Sequence, residues 1–129
     1  MKVKGFTMIE LLIAVVIVAV LAAIAIPMYQ DHVDRTRRAD AVTGLTELAQ
    51  ELERCFTRNN SYTGTGCPSG TESSPDGHYN IAITAGDDSF TLAATPTGVQ
   101  DRDDCRELSL THRGERDANP DMAECWRTE

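Results

Sequence analysis

The chain has 129 residues, 41% of them hydrophobic and 5% aromatic, and a formal net charge of −8. That length allows one compact domain beside a membrane segment, and no internal repeat points to a second. The acidity argues against non-specific nucleic-acid binding, which needs a basic face, and serves to keep an exported domain soluble.

Residues 1–5 form a basic leader with Lys2 and Lys4, the only lysines. Residues 11–26 are Leu, Ile, Val and Ala throughout. A helix over residues 6–28 rises about 1.5 Å per residue, enough to cross a bilayer core of roughly 30 Å. Just inside the start of this run sits one carboxylate, Glu10. Three readings compete: a plain single-pass anchor, a secretory signal cut after Ala25, and a prepilin-type leader cut between Gly5 and Phe6. A carboxylate within a membrane segment costs about 2.5–3.5 kcal/mol on insertion scales, so it usually marks function, and only the third reading needs it. The apolar run also exceeds the roughly 7–15 residues of a removable signal.

The stretch Gly5-Phe6-Thr7-Met8-Ile9-Glu10-Leu11-Leu12-Ile13 resembles the class III leader and N-terminal helix of the type IV pilin family, and the layout of the rest is similar to PilE-like minor pilins. The resemblance implies cleavage after Gly5 by a prepilin peptidase and N-methylation of Phe6. It places the family's buried glutamate at Glu10 and its helix-loosening proline at Pro27. The physical chemistry agrees. Cleavage exposes an ammonium on Phe6, and Glu10, costly if alone in an apolar fibre core, can pair with the Phe6 ammonium of a neighbouring subunit. One such polar contact sets axial register, as a single buried polar residue does in a coiled coil. Loss of the leader removes both lysines and takes the net charge from −8 to −10.

Beyond Pro27 the sequence stays helical but turns amphipathic. Val42, Leu45, Leu48, Ala49, Leu52 and Phe56 recur at steps of three and four and make one apolar stripe, with Asp40, Thr43, Glu47, Gln50, Glu51 and Arg54 mostly off it. Asp31–Arg35 and Asp34–Arg38 are spaced as ion pairs along the helix, acid first. One long helix over residues 6–56 is expected, weakened at Pro27, which lacks an amide hydrogen, and at Gly44. Residues 59–77 read as loop. Three strands are expected at residues 78–85, 89–95 and 107–111. Their inward faces are Tyr79, Ile81 and Ile83, then Phe90, Leu92 and Ala94, then Leu108 and Leu110. Gly86-Asp87-Asp88 is a hairpin turn, and Pro96 ends the second strand. Residues 113–129 read as a polar, turn-rich tail, with Trp126 against the sheet edge. The expected fold is α+β: a long N-terminal helix packed on a small antiparallel sheet, as in the type IV pilin fold. Its expected parts are a leader (1–5), a membrane or fibre-core helix (6–28) and a head domain (29–129).

The four cysteines, Cys55, Cys67, Cys105 and Cys125, all lie outside the apolar run. An even count in an exported domain suggests two disulfides with three possible connectivities. The pairs nearest in sequence, Cys55–Cys67 and Cys105–Cys125, are preferred, over a zinc site that lacks metal-ligand spacing. Oxidised cysteines put the head outside the cytoplasm. Arg35, Arg37 and Arg38 beyond the apolar run oppose that orientation by the positive-inside rule; the leader and the cysteines outweigh them.

No catalytic constellation is present: His32, His78 and His112 have no nucleophile in a known motif. Asp87-Asp88 and residues 101–104 do not fit a calcium loop and read as hydrated loop acids, and no cofactor or metal is expected. The expected function is a structural pilus subunit, a minor pilin. Its implied partners are other pilin subunits, a prepilin peptidase and inner-membrane lipid, and its implied roles are pilus biogenesis, twitching motility and adhesion. It would be anchored in the inner membrane with the head in the periplasm, then extracellular after assembly. The competing readings are a type II secretion pseudopilin, a DNA-uptake pilin with an arginine patch from Arg102, Arg106, Arg113 and Arg116, and a soluble periplasmic domain released after Ala25.

Overall fold

The computed structural model describes residue 1 and residues 5–127; Lys2 and Lys4 of the leader lie outside the described residues. The elements in chain order are helix α1 (Met8–Asn59), strands β1 (Gly70–Ser73), β2 (Tyr79–Ala85) and β3 (Phe90–Pro96), a 3-10 turn (Gly98–Arg102), β4 (Glu107–Thr111), β5 (Arg116–Asn119) and a short helix α2 (Met122–Cys125). The chain forms two compact units, residues 1–33 and 34–129.

Helix α1 runs through Pro27 without interruption. It stops where Asn60 takes a left-handed conformation (φ 55°), its N–H donating to the Phe56 carbonyl at 2.7 Å. Asparagine tolerates that backbone better than other side-chain-bearing residues.

In the second unit the five strands form one antiparallel sheet in the order β1-β2-β3-β4-β5. Ala41, Leu45 and Leu52 of α1 pack on Tyr79, Ile81, Phe90, Leu92, Ala94, Leu108 and Leu110 from the inward face of the sheet. Each large side chain so buried contributes about 1.5–3 kcal/mol. Val42, Leu48, Ala49, Phe56 and Ile83 flank this core, half-buried. The β2–β3 turn closes through the Gly86 N–H and the Ser89 carbonyl at 2.8 Å.

Several expectations need correction. The loop at residues 59–77 contains strand β1, and the tail contains β5 and α2. All four β1 residues are exposed, so no alternation marks it. Asp40 is buried rather than off the packed face. Its carboxylate accepts from the Ser74 hydroxyl, the Asp76 N–H (2.8 Å) and the His78 N–H (3.2 Å), tying α1 to the β1–β2 turn. Asp34 and Arg38 do not pair along the helix; each meets a partner on the far side of the sheet connection, Arg102 and Asp103 respectively. Burial explains the switch, since a desolvated guanidinium needs a fixed carboxylate fork rather than a mobile neighbour on its own helix.

Candidate functional site

The N-terminal unit carries the residues singled out for processing and assembly. Thr7 precedes the first turn of α1, and its hydroxyl accepts the Glu10 N–H at 3.2 Å, so Thr7 caps the helix. Thr-x-x-Glu is also the capping-box pattern, a signal the sequence reading did not use. Gly5 and Phe6 lie just ahead of the helix and are exposed. Glu10 is exposed in this single chain, and Pro27 lies within α1. The large apolar side chains from Phe6 to Met28 are 54–84% exposed. Water does not tolerate a continuous apolar surface of this extent on a stable monomer. The helix contains an 18-residue window of mean hydropathy 3.1, apolar enough by length and composition to cross a membrane.

The head unit is held by two disulfides. Cys55 and Cys67 join the end of α1 to the loop before β1, with Cα atoms 5.5 Å apart; Cys105 and Cys125 join the segment just ahead of β4 to α2 across 5.7 Å. The Trp126 indole N–H donates to the Asp117 carbonyl at 2.8 Å, so α2 lies against edge strand β5. Covering an edge in this way limits strand addition there.

Beneath the sheet connection sits a buried polar cluster that the sequence reading missed. Arg38 and Asp103, 6% and 3% exposed, form a two-pronged ion pair, with Arg38 Nε donating to Asp103 Oδ2 at 2.8 Å. Gln100 Nε2 donates to Asp103 Oδ2 (2.9 Å), the Asp34 carbonyl (3.1 Å) and the Tyr79 hydroxyl (3.1 Å). Burial pushes the Asp103 carboxyl up, but Arg38, the Cys105 N–H and Gln100 pull it further down, to below the usual carboxylate range. The Tyr79 hydroxyl is pushed up to about 12, chiefly by burial. Asp103 is therefore not a hydrated loop acid. Asp87 is engaged as well, accepting from Ser61 Oγ at 2.9 Å and Thr63 Oγ1 at 3.1 Å, which latches the β2–β3 turn to the loop after α1. Among the described residues no three His, Cys, Asp or Glu side chains converge as metal ligands would.

The four arginines considered as a DNA-facing patch have different fates. Arg102 binds Asp34 at 3.1 Å, and Arg106 reaches Asp101 at 3.7 Å. Arg113 is exposed in the β4–β5 turn, and the Arg116 guanidinium lies over the Trp126 ring, 5.0 Å from its centroid. The fold thus holds two of the four against carboxylates.

Residues 27–109 match the family model described as type IV minor pilin ComP, DNA uptake sequence receptor, and residues 1–26 match the prokaryotic N-terminal methylation motif. A fimbrial protein of Pseudomonas aeruginosa is 41% identical over 81 residues, 63% of this chain and 49% of that protein. The type IV major pilin protein PilE1 of Neisseria gonorrhoeae is 32% identical over 115 residues, 87% of this chain and 53% of that protein. The chain spans about half the length of such curated relatives. Among solved structures, a type IV pilin from Shewanella oneidensis is 32% identical, with a TM-score of 0.56 over 73% of this chain and 98% of that one. The non-core minor pilin PilV of Neisseria meningitidis, 22% identical, has a TM-score of 0.56 over 68% of this chain and 88% of that one, a likeness of fold alone.

Proposed function

We propose, for a chain that belongs to the type IV pilin family, that it is a minor pilin: a structural, non-catalytic subunit that enters a pilus through its N-terminal helix. The observation that carries this reading is the apolar surface of residues 6–28, interrupted only at its start by a carboxylate. Such a surface is covered by a bilayer before assembly and by other subunits' helices afterwards. A peptidase cleaves between Gly5 and Phe6, and Phe6 is N-methylated. Glu10 then meets the Phe6 ammonium of a neighbouring subunit, and Pro27, contributing no N–H to the helix ladder, is where the helix yields during packing. The parts are a leader (1–5), a membrane or fibre-core segment (6–28) and a head (29–129) in the periplasm and later outside the cell. Its partners are other pilin subunits, the peptidase and inner-membrane lipid; its roles are pilus biogenesis, motility and adhesion. The fimbrial names of its relatives favour a pilus over a secretion system.

The intact mass of the non-reduced protein recovered from cells tests this. The expected species starts at methylated Phe6 and lacks four thiol hydrogens. A species starting at Met1 or Ile26 contradicts it.

One observation favours a second reading. The family model matching residues 27–109 is described as a DNA uptake sequence receptor. On that reading the exposed Arg113 and Arg116 face DNA. Retention of duplex DNA that falls steeply with salt, and is lost in Arg113→Ala/Arg116→Ala, supports it; retention unchanged by both substitutions rules that surface out.

A further inference from the structure

The two edges of the sheet differ. β5 lies against α2, whereas β1 pairs with β2 alone. The Ser74 N–H donates to the Tyr79 carbonyl at 2.9 Å. By the two-residue alternation of an antiparallel ladder, Glu72 and Gly70 then turn their backbone groups toward β2, and Thr71 and Ser73 turn theirs outward. Among the described residues no backbone hydrogen bond reaches Thr71 or Ser73 from that open side. Pro68 and Pro75 bracket the edge and limit an added strand to a few residues. Side chains opposite one another across a ladder share a face. Glu72 is opposite Ile81, which is buried in the core, so Glu72 lies on the α1 side. There it lines a groove of about 610 Å³ with Glu47 and Glu51 of α1, beside half-buried Leu48. No Lys or Arg lines this groove, and its three carboxylates are exposed. Among the described residues the ion pairs are Arg38–Asp103, Arg102–Asp34 and Arg106–Asp101, none of which engages them. Glu47 and Glu51 stand one helical turn apart, about 6 Å along the axis, close to the ~6.8 Å between alternate side chains of a strand.

We propose that β1 and this acidic wall form a docking edge for an extended basic segment of another protein, which adds to the sheet as a sixth strand with Lys or Arg at alternate positions facing Glu47, Glu51 and Glu72. Main-chain bonds to Thr71 and Ser73 supply affinity, and the carboxylates select the strand. Charge complementarity is the argument for that occupant. The same charge disfavours the β1 of a second copy, since that pairing sets like carboxylates side by side. Nor does the chain offer such a segment elsewhere: Lys or Arg residues two apart occur only at Lys2/Lys4, in the leader, and at Arg35/Arg37, inside α1. The carboxylates also guard the edge against apolar and acidic strands.

The test uses the full chain in micelles of an uncharged detergent at low salt, with a synthetic peptide alternating Lys and Val as the probe. Fluorescence anisotropy follows binding, and amide hydrogen exchange locates it. Wild type is expected to bind the peptide, with exchange slowed at Thr71 and Ser73. Glu47→Gln/Glu51→Gln/Glu72→Gln changes exposed side chains only and should bind about tenfold more weakly, as the loss of several exposed charge contacts implies. Added salt should weaken binding by the wild type. The same peptide N-methylated at alternate residues keeps its charge, loses its pairing donors and should also bind about tenfold more weakly. No binding by the wild type overturns the proposal, as does binding that survives the triple substitution undiminished or leaves exchange at Thr71 and Ser73 unchanged. Equal binding of a scrambled peptide with its lysines grouped, or of a peptide alternating Glu and Val, overturns it by showing attraction without a basic-strand site. Slowed exchange at both residues in the peptide-free chain, lost on dilution, assigns the edge to a second copy and overturns it as well. None of these outcomes depends on residues 6–28 or on fibre formation.

Discussion

Gly44 lies where α1 faces Ile81 of β2. A Cβ at this position would stand 2.6 Å from Ile81 Cδ1 and 3.3 Å from Pro75 Cδ. What reads in the sequence as a weak point in a helix is a close approach of helix to sheet. Gly44→Ala gains about 1 kcal/mol of helix propensity, but overpacking a site where Ile81 is fully buried costs about 1–3 kcal/mol. The expected outcome in denaturant unfolding is a net loss of about 1 kcal/mol; a stabilised variant would show that Ile81 yields freely. Arg38 and Asp103 pose a larger test. Asp103→Ala leaves a buried guanidinium unpaired and should cost about 3–5 kcal/mol. The Asp103 carboxyl titrates below its ordinary value in the fold, so its contribution is present above about pH 4 and is lost as pH falls through the folded value. Asp103→Asn should therefore flatten the acid limb of the stability–pH curve, and an unchanged limb argues against this pair as its cause.

At the scale of elements, what could be read in the sequence followed burial. β2, β3 and β4 bury alternate residues against α1, and their period of two is plain in Tyr79-Asn80-Ile81 and Phe90-Thr91-Leu92. β1, with the sequence Gly-Thr-Glu-Ser, buries nothing, and β5 covers only Ala118 in part. Such edge strands form because a neighbour offers its backbone, which no local pattern encodes. The Arg38–Asp103 pair was illegible for another reason: its members stand 65 residues apart, and each alone looks like a surface charge. The two disulfides could be guessed from proximity in sequence, but the covering of β5 by α2 could not, since four residues give no periodicity. Replacing Cys105 and Cys125 with Ala should cost about 2–4 kcal/mol. Hydrogen exchange should then quicken in β5 and α2 while β2 and β3 stay protected; uniform loss of protection would mean that this bridge holds the whole head.

For the molecule as a whole, the two units have opposite characters. Residues 34–127 bury a core and pair the buried Arg38 with Asp103, whereas the large apolar side chains of residues 6–28 are exposed in the single chain. An apolar surface of this extent is stable only when something apolar covers it. In the proposed assembly Glu10, whose N–H donates to the Thr7 hydroxyl in the first turn, is the group that fixes how neighbours align. The decisive measurement compares wild type with Glu10→Leu in cells, as the ratio of subunit in sheared fibres to subunit in the membrane. The account predicts an unchanged membrane pool and a fibre fraction reduced to a small residue of the wild-type value. Glu10→Leu entering fibres at the wild-type ratio would contradict it.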